Sequence, residues 1–203
     1  LGVPRELRNT AIPFNYNKID ELQAIIDKYP NEIGVIIMEP ERDTPPAPGF
    51  LETVRDIASK IGAVLIFDEV TSGFRMNVGG IHLLKGVYPD IAVFGKALGN
   101  GYPISAIVGK RSVMEAAQDT FISSTFWTER IGFTAALATI KKMEEQNVPE
   151  KLIHYGELIN KGWSELAQKH GLEIHISGIP PLTHITFKTE NPLAIQTLYT
   201  QEM

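Results

Sequence analysis

The sequence predicts an α/β fold built on a mainly parallel sheet, and three observations lead there. GVIIMEP (34–40), AVLIFDEV (63–70) and DIAVF (90–94) are short apolar runs of strand length, rich in β-branched or aromatic residues. Between the first two lies FLETVRDIASKIG, with Leu51, Val54, Ile57, Ala58 and Ile61 at helical spacing and Gly62 as its stop. Each run also ends in ionisable groups: Glu39, then Asp68 with Glu69, then Lys96 just past Gly95. Ligands of open α/β sheets bind beyond the carboxyl ends of the strands.

Each element follows from its local pattern. Asp20 is expected to cap a short helix, ELQAIIDKY, that ends before Pro30. ERDTPPAPG holds three prolines and is a loop. The strand, crossover helix and strand from residue 34 to 70 predict parallel pairing, with Glu39 and Asp68 at one sheet edge. Residues 71–89 lack periodicity and are expected as a long loop. AVF (92–94) is a third strand, and ISAIVG (104–109) a fourth, antiparallel because its glycine- and proline-rich connection is short. RSVMEAAQ is a brief helix, and longer helical patterns cover 128–145 and 149–169 with a stop and restart at EEQNVPE. Around Gly171 helix gives way to short strands near 172–176 and 183–187. The expected division is therefore 1–148 for a large domain, and 149–203 for a linking helix and the start of a smaller α+β domain.

Composition narrows the function classes. The chain has 203 residues, a formal net charge of -5 and no basic cluster, which argues against a nucleic-acid partner. Cysteine is absent, so disulfide frameworks and cysteine catalysis are excluded. No apolar stretch approaches the roughly 18 residues of a membrane span, and a cytoplasmic protein is expected. The five histidines fall in no metal-ligand spacing, no H-E-x-x-H occurs, and no G-x-S-x-G elbow is present. Leu1 at the start and LAIQTLYTQEM at the finish, without a helix stop, lead us to expect an internal fragment of a larger protein.

The strand ends hold the chemistry. A partly desolvated lysine has a lowered pKa and forms Schiff bases with carbonyl compounds, and Lys96 stands where it could do so, or it is a surface lysine that merely follows a strand. Asp68 could bind a metal, act as a base or pair with a protonated ring nitrogen. Glu69, its neighbour, points to the opposite side of the strand and is expected to pair with Arg75 or cap the following loop. Glu39 either orients another group or caps the proline-rich loop. FISSTFWTER (121–130) puts hydroxyls, Thr125 and Thr128 among them, just before a helix, where they serve phosphate binding and helix capping equally well. A magnesium-dependent nucleotide hydrolase also has an acidic strand end, but GKALGN supplies neither the spacing nor the hydroxyl of a phosphate loop, and that reading gives Lys96 no role.

Taken in order, IIMEP, LIFDEVTSGFR, VFGKALGNGYPISAIVG and SSTFWTERIGFTAALATI resemble the class III aminotransferases, a family of fold type I pyridoxal-phosphate enzymes that includes glutamate-1-semialdehyde aminomutase. The similarity runs from about Tyr16 onward and is most specific between Glu39 and Gly109. It implies a three-layer α/β/α large domain and transfer of an amino group from a donor to a keto or aldehyde acceptor. It implies that Lys96 holds pyridoxal phosphate as an internal aldimine and moves the substrate proton. Asp68 is then the partner of the pyridine nitrogen, and Val70 packs on the ring. Thr125 reaches the cofactor phosphate of a neighbouring subunit, so a homodimer with shared sites is implied. Glu39 supports the site, and Arg75 is structural. The alternatives within the resemblance are an aminomutase, a lyase or decarboxylase, and a non-catalytic relative acting as a subunit or binding module.

Two departures stand out. Leu98, Gly99, Asn100 and Gly101 replace a glycine-rich turn after the lysine, and Thr128, Glu129 and Arg130 stand where many members have Asn-Pro. Glu129 and Arg130 are expected to alter the entrance or the substrate-facing helix start, without abolishing cofactor binding. The family's phosphate loop and ring-stacking aromatic would lie before Leu1.

Overall fold

A computed structural model describes residues 4–123, 125–126 and 129–203. Four strands, β1 (Val35–Met38), β2 (Val64–Glu69), β3 (Ile91–Phe94) and β4 (Ala106–Gly109), form one sheet in that spatial order. The first three are parallel and β4 runs antiparallel to β3, as the short connection predicts. Helix α1 (Ile19–Lys28) precedes β1, and α2 (Phe50–Ile61) is the crossover from β1 to β2. The α2 helix stops at Gly62, whose left-handed φ of 74° lets it close the last turn.

Two expectations change here. Asp20 lies inside the first turn of α1 rather than capping it, and the boundary residue is Lys18. The stretch 71–89 is not wholly loop, because α3 (His82–Lys85) forms within it. A four-residue helix is too short to show a period in sequence.

The rest follows the pattern. A short α4 (Arg111–Met114) leads through a 3₁₀ turn toward α5 (Ile131–Glu145) and α6 (Val148–His170). Asn147, at φ 46°, marks the break between the two long helices. Strands β5 (Ile174–Ser177) and β6 (His184–Phe187) pair antiparallel with each other, and α7 (Pro192–Glu202) packs on β6. Backbone amides of Gly178 and Ile179 donate to the carbonyls of Asp43 and Arg42, tying this hairpin to the proline-rich loop after β1.

Period-two alternation sorts the sheet residues. One face carries Ile36, Leu65, Phe67, Ala92 and Phe94, all buried. Leu22, Leu51, Val54 and Ala58 of α1 and α2 pack on its β1–β2 side, and Ala136 and Met143 of α5 pack with Phe94 on the other. The opposite face is also apolar yet open, with Val35 52%, Ile37 59% and Ile107 61% exposed. The three-layer arrangement implied by the resemblance needs a second helical layer on this face. No helix among the described residues is long and apolar enough to cross a membrane.

Two buried carboxylates fix the loops around β2. Asp90, 9% exposed, accepts from the Leu65 amide at 2.8 Å, from Arg55 Nη1 at 2.7 Å and from Lys110 Nζ at 2.8 Å. It thereby joins α2, β2 and the end of β4. Burial opposes its ionisation, but the bonds from Lys110, Leu65 and Arg55 prevail and hold the carboxyl at about 2. Glu69 is fully buried and accepts from the amides of Ile81 and His82, from Ser72 Oγ and from the His82 ring. It is the loop cap allowed by the sequence, and Arg75 is not its partner.

Because the folded Asp90 pKa lies below its unfolded value, its stabilising contribution is present above about pH 4 and is lost as pH falls toward 2. Asp90→Asn is expected to cost about 2 kcal/mol at pH 7. The cost should shrink steadily below pH 4, read from urea unfolding of the complete protein across a pH series. Glu69→Ala should cost about 3–5 kcal/mol by stranding the amides of Ile81 and His82. Limited proteolysis should then cut first between residues 71 and 82, and an uncut loop would argue against this anchoring role.

Candidate active site

The parallel register brings the sequence-predicted residues to one edge. Met38 lies opposite Phe67, so Glu39 and Asp68 follow at the same level. Asp68 pairs in register with Val93, three residues before Lys96. Glu39, Asp68 and Lys96 thus stand at the carboxyl ends of three neighbouring parallel strands.

Alternation explains the separation of Asp68 from Glu69. Glu69 points into the buried face, and Asp68 is half-buried on the open one. One Asp68 oxygen, Oδ1, accepts from the Val70 amide at 3.0 Å. No hydrogen bond to the other oxygen occurs among the described residues. Val70 is half-buried, and a side chain at Gly95 would come within 3.3 Å of its Cγ1. A side chain there would require Val70 to give by a few tenths of an ångström.

Lys96 is exposed and opens a 3₁₀ turn, Lys96–Leu98, with a φ of 42°. A left-handed backbone is strained for a residue with a side chain, and such strain gathers at functional positions. Its Nζ donates to Thr71 Oγ1 at 2.7 Å, an interaction that joins the loop after β2 to the turn after β3. Sequence reasoning passed over Thr71. Its signal was a hydroxyl directly after the DEV triplet, one residue beyond Val70. An open depression of about 490 Å³ lies beside Lys96, lined also by Arg75, Asn100 and Tyr102. Arg75 Nε donates to the Thr71 carbonyl at 3.3 Å, and Arg75 has no carboxylate partner among the described residues. Partial burial draws its guanidinium below its ordinary value.

The remaining candidates are placed apart. Glu39 is half-buried and faces Arg42 Nη1 at 3.4 Å across the proline-rich loop. Thr125 is exposed in the turn before α5, and no hydrogen bond among the described residues links it to Asp68 or Lys96. Thr128 lies outside the described residues. Glu129 stands at the helix start: its carboxylate accepts from the first two amides of α5, Ile131 and Gly132, and from the Tyr102 phenol. An acid at this position satisfies orphan amides at a helix start. Arg130 is exposed at the same helix start. No group of three or more histidines or acids among the described residues could hold a metal ion.

An amine and a carboxylate with one oxygen left unbonded among the described residues, set beside an apolar side chain and glycine, make an arrangement suited to imine chemistry. Comparison with known proteins gives the family. Residues 7–192 match the family model of class III aminotransferases. The 3-aminobutyryl-CoA aminotransferase of Cloacimonas acidaminovorans is 36% identical over 93% of this chain and 47% of its own length. The glutamate-1-semialdehyde 2,1-aminomutase of Natranaerobius thermophilus is 31% identical over 95% and 46% respectively. Among solved structures, the pyridoxal-phosphate internal aldimine form of FumI from Sphingopyxis sp. MTA144 superposes with a TM-score of 0.88 at 28% identity, covering 95% of this chain and 48% of that one. An omega-transaminase from Sphaerobacter thermophilus gives 0.82 at 28% identity, covering 95% and 46%. The chain thus spans about half the length of the relatives it matches. The match across nearly all of its residues, on the same α/β fold, makes this chain a member of the class III aminotransferase family.

Proposed function

We propose that the complete protein is a pyridoxal-phosphate-dependent aminotransferase that moves an amino group from an amine donor to a keto or aldehyde acceptor. The observation that carries this reading is the placement of Asp68 and Lys96 at the ends of adjacent parallel strands, with the lysine amine held by Thr71. The residues fit the cofactor. Lys96 offers an amine for its aldehyde carbon, Asp68 keeps one oxygen for a protonated ring nitrogen, and Val70 gives a ring an apolar surface. When bound, pyridoxal phosphate supplies an electron sink for the charge released at the substrate's α-carbon.

The chain's own groups do the rest. Lys96 Nζ, once exchanged for the substrate amine, takes the α-proton and redelivers it, and its closeness to the carbon acid matters as much as its basicity. Thr71 Oγ1 sets the direction of that amine. Asp68 would offer its other oxygen to the ring nitrogen, with Oδ1 steadied by the Val70 amide. Glu39, paired with Arg42, supports the edge from β1. Thr125 serves the cofactor phosphate of a second subunit in a homodimer with shared sites. Residues 1–148 belong to the large cofactor-binding domain, and 149–203 hold the linking helix and the start of the small domain. The compartment is the cytoplasm.

A second reading is an aminomutase, in which nitrogen returns to another carbon of one substrate. The 31% identity to a glutamate-1-semialdehyde aminomutase favours keeping it. Product analysis separates the two: an aminotransferase releases a keto product from the donor, whereas an aminomutase gives only an isomer.

Borohydride reduction of the complete, cofactor-loaded protein should leave the cofactor covalently on Lys96, located by peptide mass mapping. Lys96→Ala should abolish that adduct and lower turnover at least about a thousandfold. Asp68→Asn should keep the adduct yet lower turnover by about 10²–10³. A well-folded complete protein that takes up no cofactor would instead be a non-catalytic relative. Mixing Lys96→Ala chains with Thr125→Val chains tests the shared sites. Random re-pairing should regain about a quarter of the native activity, because about half of the dimers are hybrids and each hybrid rebuilds one intact site of two. No recovery would confine each site to one chain.

A further inference from the structure

We propose that Tyr102 and Glu129 are a positioning pair that fastens the Lys96 loop to the start of α5 and so sets where the Lys96 side chain stands; its catalytic consequence rests on the aminotransferase reading. The loop from Gly95 to Ile104 is tightly folded on itself. Leu98 N donates to Gly95 O, Asn100 N to Lys96 O, and Tyr102 N to Gly99 O. Lys96 and Asn100 both have left-handed backbones, at φ 42° and 44°. A side chain at Gly99 would fall 2.1 Å from the Tyr102 carbonyl, so the turn admits nothing larger there. Such a turn moves as a unit, and whatever holds its far end also holds Lys96.

Helix α5 grips it at two points. Buried Leu98 packs in one cluster with Ala136. The second point is polar: the Tyr102 phenol donates to Glu129 Oε2 at 2.9 Å. Glu129 is itself pinned, since its carboxylate also accepts from the amides of Ile131 and Gly132. The ring lies close against the helix, because a side chain at Gly132 would come within 3.2 Å of Tyr102 Cε1 and of Ile104 Cδ1. The charges agree with the geometry. The bond to Glu129, aided by partial desolvation, pushes the Tyr102 phenol up. Desolvation works against the Glu129 carboxylate, but the Gly132 and Ile131 amides and the phenol hold it below its ordinary value. The pair therefore stays phenol to carboxylate at neutral pH.

The test uses the complete protein with Tyr102→Phe, Glu129→Gln and the double variant. Amide hydrogen exchange is followed first without cofactor. Tyr102→Phe should speed exchange at residues 98–101 about three- to tenfold, with less effect at 131–134. Glu129→Gln should speed both sets, and the double variant should exchange no faster at 98–101 than Glu129→Gln alone, as coupled residues do. In the loaded protein, Tyr102→Phe should lower kcat about three- to tenfold while KM for the amine donor stays within twofold. Unchanged exchange at 98–101 in Tyr102→Phe, effects of Glu129→Gln confined to α5, or an unchanged kcat would each overturn the proposal. If the complete protein binds no cofactor, the aminotransferase reading fails, and the cofactor-free exchange still decides whether the pair holds the loop.

Discussion

The carboxylate of Glu69 is fully buried at the carboxyl end of β2, and the loop that follows is folded around it. A buried carboxyl group is costly unless its oxygens find hydrogen-bond partners. Ile81, His82 and Ser72 provide those donors, and they can do so only if the chain after β2 turns back over the strand end. That turn carries Thr71 toward Lys96. Because a strand alternates, burying Glu69 also forces Asp68 to the other face. One inward acid thus dictates where the outward acid, the hydroxyl and the following loop lie.

Much of this was legible in the chain. Strand length, β-branched content and the crossover helix sufficed for the parallel order of β1 to β3, and a connection too short for a crossover sufficed for antiparallel β4. The edge shared by Glu39, Asp68 and Lys96 followed from the same topology. What escaped was decided by long-range contacts. Whether Glu69 paired with Arg75 or capped the loop depended on amides twelve and thirteen residues away, which no local pattern reveals. The helix-start position of Glu129 could be read from its motif, but not its hold on the α5 amides and, across 27 residues, on the Tyr102 phenol. Thr71 was hidden by the prominence of the acids before it.

The sheet divides its work between its faces. The buried side, with α1, α2 and α5, supplies the rigidity that holds three strand ends level. The open side, where Val35, Ile37 and Ile107 are more than half exposed, is apolar along all its strands except where Asp68 appears. A lone carboxylate at the rim of an apolar surface is a strong directional cue for any cationic ring group that settles there, since little else nearby competes for the charge.

The left-handed backbone of Lys96 has an evolutionary implication. At this position glycine would relieve the strain, so selection for stability alone pulls away from lysine. On the aminotransferase reading proposed above, the chemistry of the amine is what offsets that pull. On that reading, a lineage released from catalysis would be free to drift toward glycine at residue 96.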